Sequence, residues 1–550
     1  LSPSNPQHIL AIVEAKETKL FVSNDGGESW NKEAATTNVE ARPFYFSTIA
    51  FDPKDDKRVY RPAYFLSVSD DGGKSFTDAS NEGGWVHSDH HAIWINPLYT
   101  NQVWIGTDGG VFLSNDRGIT FTFIQNLPVG QFYHVQTDNQ EPYNVYGGLQ
   151  DNGTWMAPSQ WYGGISNGRW RALFGGDGFW AQPDPTDPNT AYAEAQGGEA
   201  GRIDLKTGLT VSIQPQQTKN EVKLRWNWNT PIYIGAANPH NLYMSAQYLY
   251  KSTNQGHDWT RISPDLTTND KDKLKQEESG GLSADNTAAE NYCTIFTVAE
   301  SPLDENYIFA GTDDGNLQIT TDAGKTWTNV AKNYHACGIP GQPYVSSIQP
   351  SSFDKNTLYA TFDEHGYGNF TTYVAKSTDL GKTWTRLDSK DFTGFANKIK
   401  EDLVNKNLLF LGTDRGLFCS VDGGTNWFRM KNHIPDYCLV RDITIQPKTN
   451  DLVLATHGRG IMIVDNITPI RNMTEDIAKK DVYLYPMKPV TLTFGKYEGG
   501  FPEHDGWVSG NSDEIPPIEY YLKTRVMSSD VSLKVFDATG KMIRYIPATK

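Results

Sequence analysis

The sequence predicts an all-β chain, a β-propeller of four-stranded units. One phrase, S/T-x-D-x-G-x-T/S-W, recurs through the chain, and each copy lies between short β-rich runs. The copies begin at Ser23, Ser69, Ser114, Ser252, Thr320, Ser377 and Ser420. Repetition at a fixed period is the mark of a stacked or radial array. In the third copy, VWIGT at Val103–Thr107 and VFLS at Val111–Ser114 flank Asp108-Gly109-Gly110, and ITFTFI follows. Strand-like runs broken by Gly, Asp and Asn read as antiparallel hairpins.

The phrase itself is read as a turn. Its Asp accepts hydrogen bonds from nearby backbone N–H groups, and its Gly tolerates positive φ. The closing Trp or Phe is large enough to pack between sheets. The structural residues are therefore Asp25, Asp71, Asp116, Asp322, Asp379 and Asp422. No cofactor is expected; calcium at the phrase is the alternative to a plain turn.

Spacing sets the architecture. The first three Asp residues stand about 46 residues apart, and Asn254 lies about three periods beyond Asp116. Two degenerate units fill the gap, one with GGLQDNGTW at Gly147–Trp155 and one at Ala191–Gly208. A last unit without the phrase reads GRGIMIVDN. About ten units of roughly 40–50 residues suit a propeller. They form either one ten-bladed ring or the last three blades of one seven-bladed ring followed by a second complete one. The mid-unit start favours the second arrangement.

The expected domains are the propeller over 1–466, a connector over 467–490 and the start of a β-sandwich module over 491–550. In the last, apolar and polar residues alternate around Asp-Ala-Thr-Gly as in a hairpin. A long polar insertion spans Thr267–Ala289.

Composition narrows the partners. The formal charge of −16 over 550 residues argues against nucleic acid. No apolar run approaches the length of a membrane span. Cys293, Cys337, Cys419 and Cys438 lack zinc spacing; free thiols and disulfides are both open.

With strands A to D running outward from the channel, the phrase lies between C and D. The B–C hairpins and D–A connections then share the opposite face, where chemistry is expected. The B–C loops carry Asp108, Asp151, Asp313, Asp314, Asp414, Arg415, His457 and Arg459, and the D–A loops bring His87, Asp89, His90, Asp177 and Glu290. Trp155, Trp161 and Trp170 join them as candidate sugar platforms. Carboxylates among aromatic rings suit carbohydrate, and a carboxyl pair could cleave it. Asp151 and Asp177 break the repeat pattern and are the catalytic candidates. HSDHH at His87–His91 is a candidate metal site through His87, Asp89 and His90, because neighbouring residues of an extended segment point to opposite faces.

VYGGLQDNGTW, HSDHHAIWINP, GGDGFWAQPDPTDPNTAY, RISPDLTT, GTDDGNLQITTDAGKTW and DLVLATHGRGIMIVDN together resemble the large bacterial Asp-box (BNR-repeat) "glycosyl hydrolase" family with sortilin-like, VPS10-type propellers. That family is similar in turn to tandem-propeller xyloglucanases. The resemblance implies an exported, periplasmic or surface protein, often of Bacteroidetes. It implies that the B–C/D–A face binds a protein or peptide partner in a cell-envelope complex, or a glycan. The alternative it implies is a glycoside hydrolase acting on extracellular polysaccharide. The Arg-Ile-Pro phrase of true sialidases is absent.

Overall fold

The computed structural model describes all residues except 34, 80–85, 218, 220, 280, 284–285, 488–505, 512–516, 528–529 and 548–550. The protein is an all-β propeller. Ten antiparallel sheets follow one another, each a meander with strands in sequence order. The first three sheets occupy Ile9–Lys32, Ala50–Asp78 and His90–Phe123. The innermost strands of the other seven are Phe132–Thr137, Gly178–Pro183, Ile232–Ile234, Ile295–Ser301, Tyr344–Pro350, Ala396–Glu401 and Leu439–Ile445. The first and last of the ten have three strands and the others four.

Each sheet is apolar on both faces, so each can be buried only between two neighbours. Phe309, Leu317 and Ile319 pack on Val345, Leu358 and Phe362 of the next sheet. Tyr359 and Val374 pack on Ile399, Leu409 and Phe418 of the one after. The series closes on itself. Val453 and Ala455 of the last sheet pack on Phe132, Val135 and Val145 of the sheet that starts at Phe132. Polar contacts fasten the same joint: Tyr143 Oη donates to Asp451 at 3.0 Å, and Gln446 Nε2 donates to the Asp138 carbonyl at 3.0 Å. The seven sheets from Phe132 to Val464 thus form a ring, and the first three stand outside it with cores of their own.

The Asp-boxes lie between the last two strands of their sheets and act as turn staples. Asp379 Oδ1 accepts from Ser377 Oγ at 2.9 Å and Thr383 N at 2.8 Å, and Oδ2 from Thr383 Oγ1 at 2.7 Å. Gly381 N donates to Ser377 Oγ at 2.8 Å, and Trp384 Nε1 donates to the Gly381 carbonyl at 3.1 Å. The Thr326 backbone N–H and hydroxyl hold the Asp322 carboxyl down at about 2. Trp384 and Trp427 are buried between sheets, whereas Trp30 of the first sheet is exposed. Because these staples are solvated, Asp379→Ala should cost about 1 kcal/mol, read as a lower urea midpoint at constant slope.

In the insertion, Gln276–Glu278 form one 3-10 turn. Most of 491–516 lies outside the described residues. Val508–Ser509 pair with Ile165–Ser166 of the ring, and Ser532–Phe536 pair with Met542–Pro547 as the hairpin expected around Asp537. The four cysteines are free. Among the described residues no helix is long and apolar enough to cross a membrane.

Candidate active site

The site begins with a tight hairpin. Strands Asn144–Leu149 and Gly153–Pro158 are joined by Gln150-Asp151-Asn152, with Asp151 at φ 61°. Left-handed backbone is tolerated by Asp better than by most residues. Trp155 Nε1 donates to the Asn152 carbonyl at 2.5 Å and steadies the turn. Asp151 N then donates to Asp177 Oδ1 at 2.6 Å, and Asp177 N donates to Gln196 Oε1 at 2.7 Å. Hairpins of successive sheets are thereby chained together. Glycine makes the approach possible: a Cβ on Gly148 would meet the Gly178 backbone, and one on Gly178 would meet the Gly153 carbonyl.

The third sheet meets this hairpin from outside the ring. His87 Nε2 lies 3.0 Å from the Asp151 carbonyl, and Asn152 Nδ2 donates to the Asp108 carbonyl at 3.0 Å. Asp108 N donates to the Asp89 carbonyl at 3.1 Å. His91 Nε2 is 3.3 Å from Asp108 Oδ1, and Tyr45 Oη donates to Asp108 Oδ2 at 3.5 Å. Arg42 lies over the Tyr45 ring at 4.4 Å. Asp89, Asp108, Asp151 and Asp177 therefore gather where the three-sheet body touches the ring.

Crowded carboxylates disfavour one another's ionisation, and burial adds to the effect. Burial first, then the Asp177 carboxylate within hydrogen-bonding reach, then Asp108 and Asp89, push the Asp151 carboxyl up to about 8. Burial and the neighbouring Asp89 also raise Asp108, against the opposing pull of His91. Burial and the Asp108, Asp151 and Asp89 charges push the Tyr45 hydroxyl up to about 12. A carboxyl whose proton is held toward neutral pH meets the condition of a general acid.

Of the residues expected from the sequence, Asp151, Asp177, Asp108, His87 and Asp89 come together here. Others have structural partners. Asp313 is fully buried and accepts from Thr294 N at 2.8 Å, Thr294 Oγ1 at 2.6 Å and Asn227 Nδ2 at 3.2 Å. Asp314 Oδ2 accepts from Thr268 N at 2.8 Å and Oγ1 at 2.7 Å, which ties down the start of the insertion. Glu290 accepts from Thr287 N at 2.9 Å within that insertion. Asp414 lies beside Arg415 at 3.5 Å, and Arg415 reaches over Tyr437 at 5.5 Å. Strand residue His457 bridges Gln131, and Arg459 N donates to Thr456 Oγ1 at 3.1 Å.

The tryptophans differ in kind. Trp170 packs against the Phe132 core, so it is no open platform. Trp161 stacks under Arg169 at 4.2 Å and is held by Asn511, whose Oδ1 accepts from Trp161 N at 3.0 Å. The metal expectation is corrected. Among the described residues no three His, Cys, Asp or Glu side chains are arranged to hold an ion, the His87–Asp89–His90 set included. His90 is fully buried, and burial pushes its ring down to about 4. Both His87 ring nitrogens face carbonyl oxygens, those of Ser88 and Asp151, each at 3.0 Å.

Sequence reasoning missed Tyr45, Arg42 and Gln196, which carry no motif. It also missed Glu194, a fully buried carboxyl raised well above its usual range by burial, with Oε1 accepting from Thr230 N at 3.1 Å. A lone Glu in the apolar strand AYAEA was its only signal.

No family model matches the chain. It is 25% identical over 320 residues to a probable oligoxyloglucan-reducing end-specific xyloglucanase of Neosartorya fischeri, covering 52% of this chain and 34% of that protein. It is 24% identical over 340 residues to the oligoxyloglucan-reducing end-specific xyloglucanase of Emericella nidulans, covering 56% and 37%. The chain thus spans about a third of the length of the curated relatives it matches. Among solved structures, a GH74 enzyme of Niastella koreensis aligns over 85% of this chain and 83% of its own at 13% identity, with a TM-score of 0.32. In sequence, then, the chain is similar to xyloglucanases, and no sortilin-type protein stands among these relatives.

Proposed function

We propose that the chain is a glycoside hydrolase acting on an extracellular β-glucan of the xyloglucan class, with Asp151 as the general acid. The observation that carries this is the clustering of Asp151 with Asp177, Asp108 and Asp89 where the third sheet meets the ring, which together with burial raises the Asp151 carboxyl. The xyloglucanases similar to this chain support the substrate class. The expectation of a non-catalytic surface propeller with a protein or peptide partner is less well supported. An exported protein would meet such a polymer, so export stays part of the reading.

Asp177 and Asp151 divide the roles unequally. Acid and nucleophile in a retaining glycosidase stand about 5–5.5 Å apart, and acid and base in an inverting one about 6.5–9.5 Å. Carboxyls within hydrogen-bonding reach of each other are closer than both. Asp177 is therefore a positioning residue that keeps the proton on Asp151. Asp108, on the facing body and held by His91 and Tyr45, is the second carboxylate. Asp151 gives its proton to the glycosidic oxygen as the C1–O bond breaks. Water adds to C1 and loses its proton to Asp108.

This account fixes a pH profile. Activity should fall above about 8 as Asp151 loses its proton, and fall on the acid side as Asp108 gains one. Asp177→Asn removes a charge that raises Asp151, so the alkaline limb should move to lower pH. Rates of kcat/KM on soluble xyloglucan from pH 4 to 10 check both points. An alkaline limb that Asp177→Asn leaves in place would contradict the role given to Asp177. The function itself is tested by turnover of a plant-polysaccharide panel: xyloglucan should be cut by the wild type and not by Asp151→Asn, and absence of any turnover sinks the reading.

A further inference from the structure

The innermost strands of the ring surround its central channel, and their charges are uneven. They carry Lys398, Lys400 and Arg441. Their carboxylates are Glu300, Glu401 and Asp442. Two of these turn to the backbone of a neighbouring sheet: Glu300 accepts from Ala237 N at 2.9 Å and Glu401 from Ser352 N at 2.8 Å. Asp442 alone of the three faces the cations. In a chain of net charge −16 this is a local reversal of sign.

Asp442 is the centre of a belt of side chains across the channel. Its Oδ1 lies 3.2 Å from Lys398 Nζ, and its Oδ2 lies 3.1 Å from His134 Nδ1. His134 Nε2 lies 3.2 Å from Asn229 Oδ1, and the His134 ring stacks on Trp180 with centroids 3.6 Å apart. Side chains of four sheets and one connecting loop thus meet at this level and narrow the passage.

Lys400 stands two residues further along the strand than Lys398, on the same face and about 7 Å deeper. Register puts it level with Gln136, Gln182, Gln349 and Thr444: these stand opposite Tyr146, Tyr192, Tyr359 and Val453, as Lys400 stands opposite Phe410. Thr444 Oγ1 donates to Gln136 Oε1 at 3.4 Å, which leaves the Gln136 amide nitrogen as a donor. Among the described residues no carboxylate lies within ion-pair distance of the Lys400 ammonium. Burial first, then the Lys398 charge, push the Lys400 amine down to about 8, against the pull of Asp442 and Glu401. At pH 7 it is still a cation, partly withdrawn from water, and a charge so placed calls for a counter-charge.

We propose that the channel of the ring binds a small oxyanion of the phosphate or sulfate class at Lys400, beyond the Lys398–Asp442–His134 belt as approached from the Asp151 face. The Gln136 amide is a further donor. The same anion is kept from the Asp151 site by the four carboxylates gathered there. Bound at Lys400, it ties strand Ala396–Glu401 to the seam where the ring closes. This is a second site with its own ligand, and it does not depend on the hydrolase reading.

The test is calorimetric titration of the full chain at pH 7 with inorganic phosphate and with sulfate, at constant ionic strength set by sodium chloride. The wild type should bind at least one of them, one anion per chain, and the tighter of the two names the ligand. Its melting temperature should rise with the concentration of that anion. Lys400→Gln should weaken binding by roughly tenfold or more, because a charge-assisted hydrogen bond is lost, and should remove the melting shift. A wild type that binds neither anion overturns the proposal without any variant. So does a Lys400→Gln chain that is bound and stabilised as the wild type is, because the anion then acts generally on the protein surface.

Discussion

Asp151→Asn is expected to lower kcat/KM on polysaccharide by about 10²–10⁴-fold, the usual contribution of a positioned general acid. It is also expected to raise stability at neutral pH. Asp151 has a folded-state pKa near 8, above the ordinary value of an unfolded Asp. A carboxyl of that kind supports the fold while protonated. Its support is fully present below about 4 and is lost as pH rises toward 8 and through it. Asparagine keeps the shape of the neutral form and escapes that loss. The site is partly open to solvent, which screens much of the repulsion, so the gain should be about 1 kcal/mol rather than the full shift. Melting temperatures of wild type and variant at pH 4.5 and pH 8.5 check the sign. The difference between them should widen with pH. Equal melting temperatures at pH 8.5 would mean that Asp151 is not under charge strain.

Arg471→Ala should be the most damaging single change to the fold, costing about 3–5 kcal/mol, because it leaves a buried charge uncompensated. Among the described residues the last sheet has three strands, and the chain leaves it through the short helix Thr468–Arg471. Arg471 Nη2 donates to Asp402 Oδ1 at 2.7 Å and Nε to Oδ2 at 2.8 Å, and both side chains are buried. Nη1 adds a bond to Asn450 Oδ1 at 2.6 Å, and Asn405 Nδ2 donates to the Arg471 carbonyl at 2.8 Å. Ile467 and Ile470 cover the core between the last two sheets. The latch therefore holds the end of the ring onto the sheet before it. A lower urea midpoint of this size checks the prediction, and replacing both partners with apolar residues should recover part of the loss.

How much of this could be read beforehand depended on range along the chain. The Asp-box worked as a ruler because its carboxylate is satisfied locally, that of Asp379 by Ser377 and Thr383. The two degenerate sheets followed from the gap between Asp116 and Asn254. Ring closure did not, since Val135 and Val453 meet across more than half the chain and no local pattern encodes that meeting. Asp151 and Asp177 stood out because they depart from the repeat. Asp313 and Asp414 sit in the same kind of hairpin slot as Asp108, yet Asp313 is consumed by Thr294 while Asp108 faces a carboxylate cluster. Only the neighbouring sheet distinguishes them. Tyr45 and Arg42 come from a loop that the buried Arg61 holds through the Val39, Phe46 and Thr48 carbonyls, a network with no motif.

The central claim is that Asp151 delivers a proton to the leaving oxygen, and a leaving group that needs no proton isolates that step. The deciding measurement compares Asp151→Ala with wild type on xyloglucan and on a 2,4-dinitrophenyl glycoside of the same oligosaccharide. The account predicts a loss of at least 10²-fold on xyloglucan and less than tenfold on the dinitrophenyl glycoside. Equal losses on both substrates, or none on xyloglucan, would contradict it.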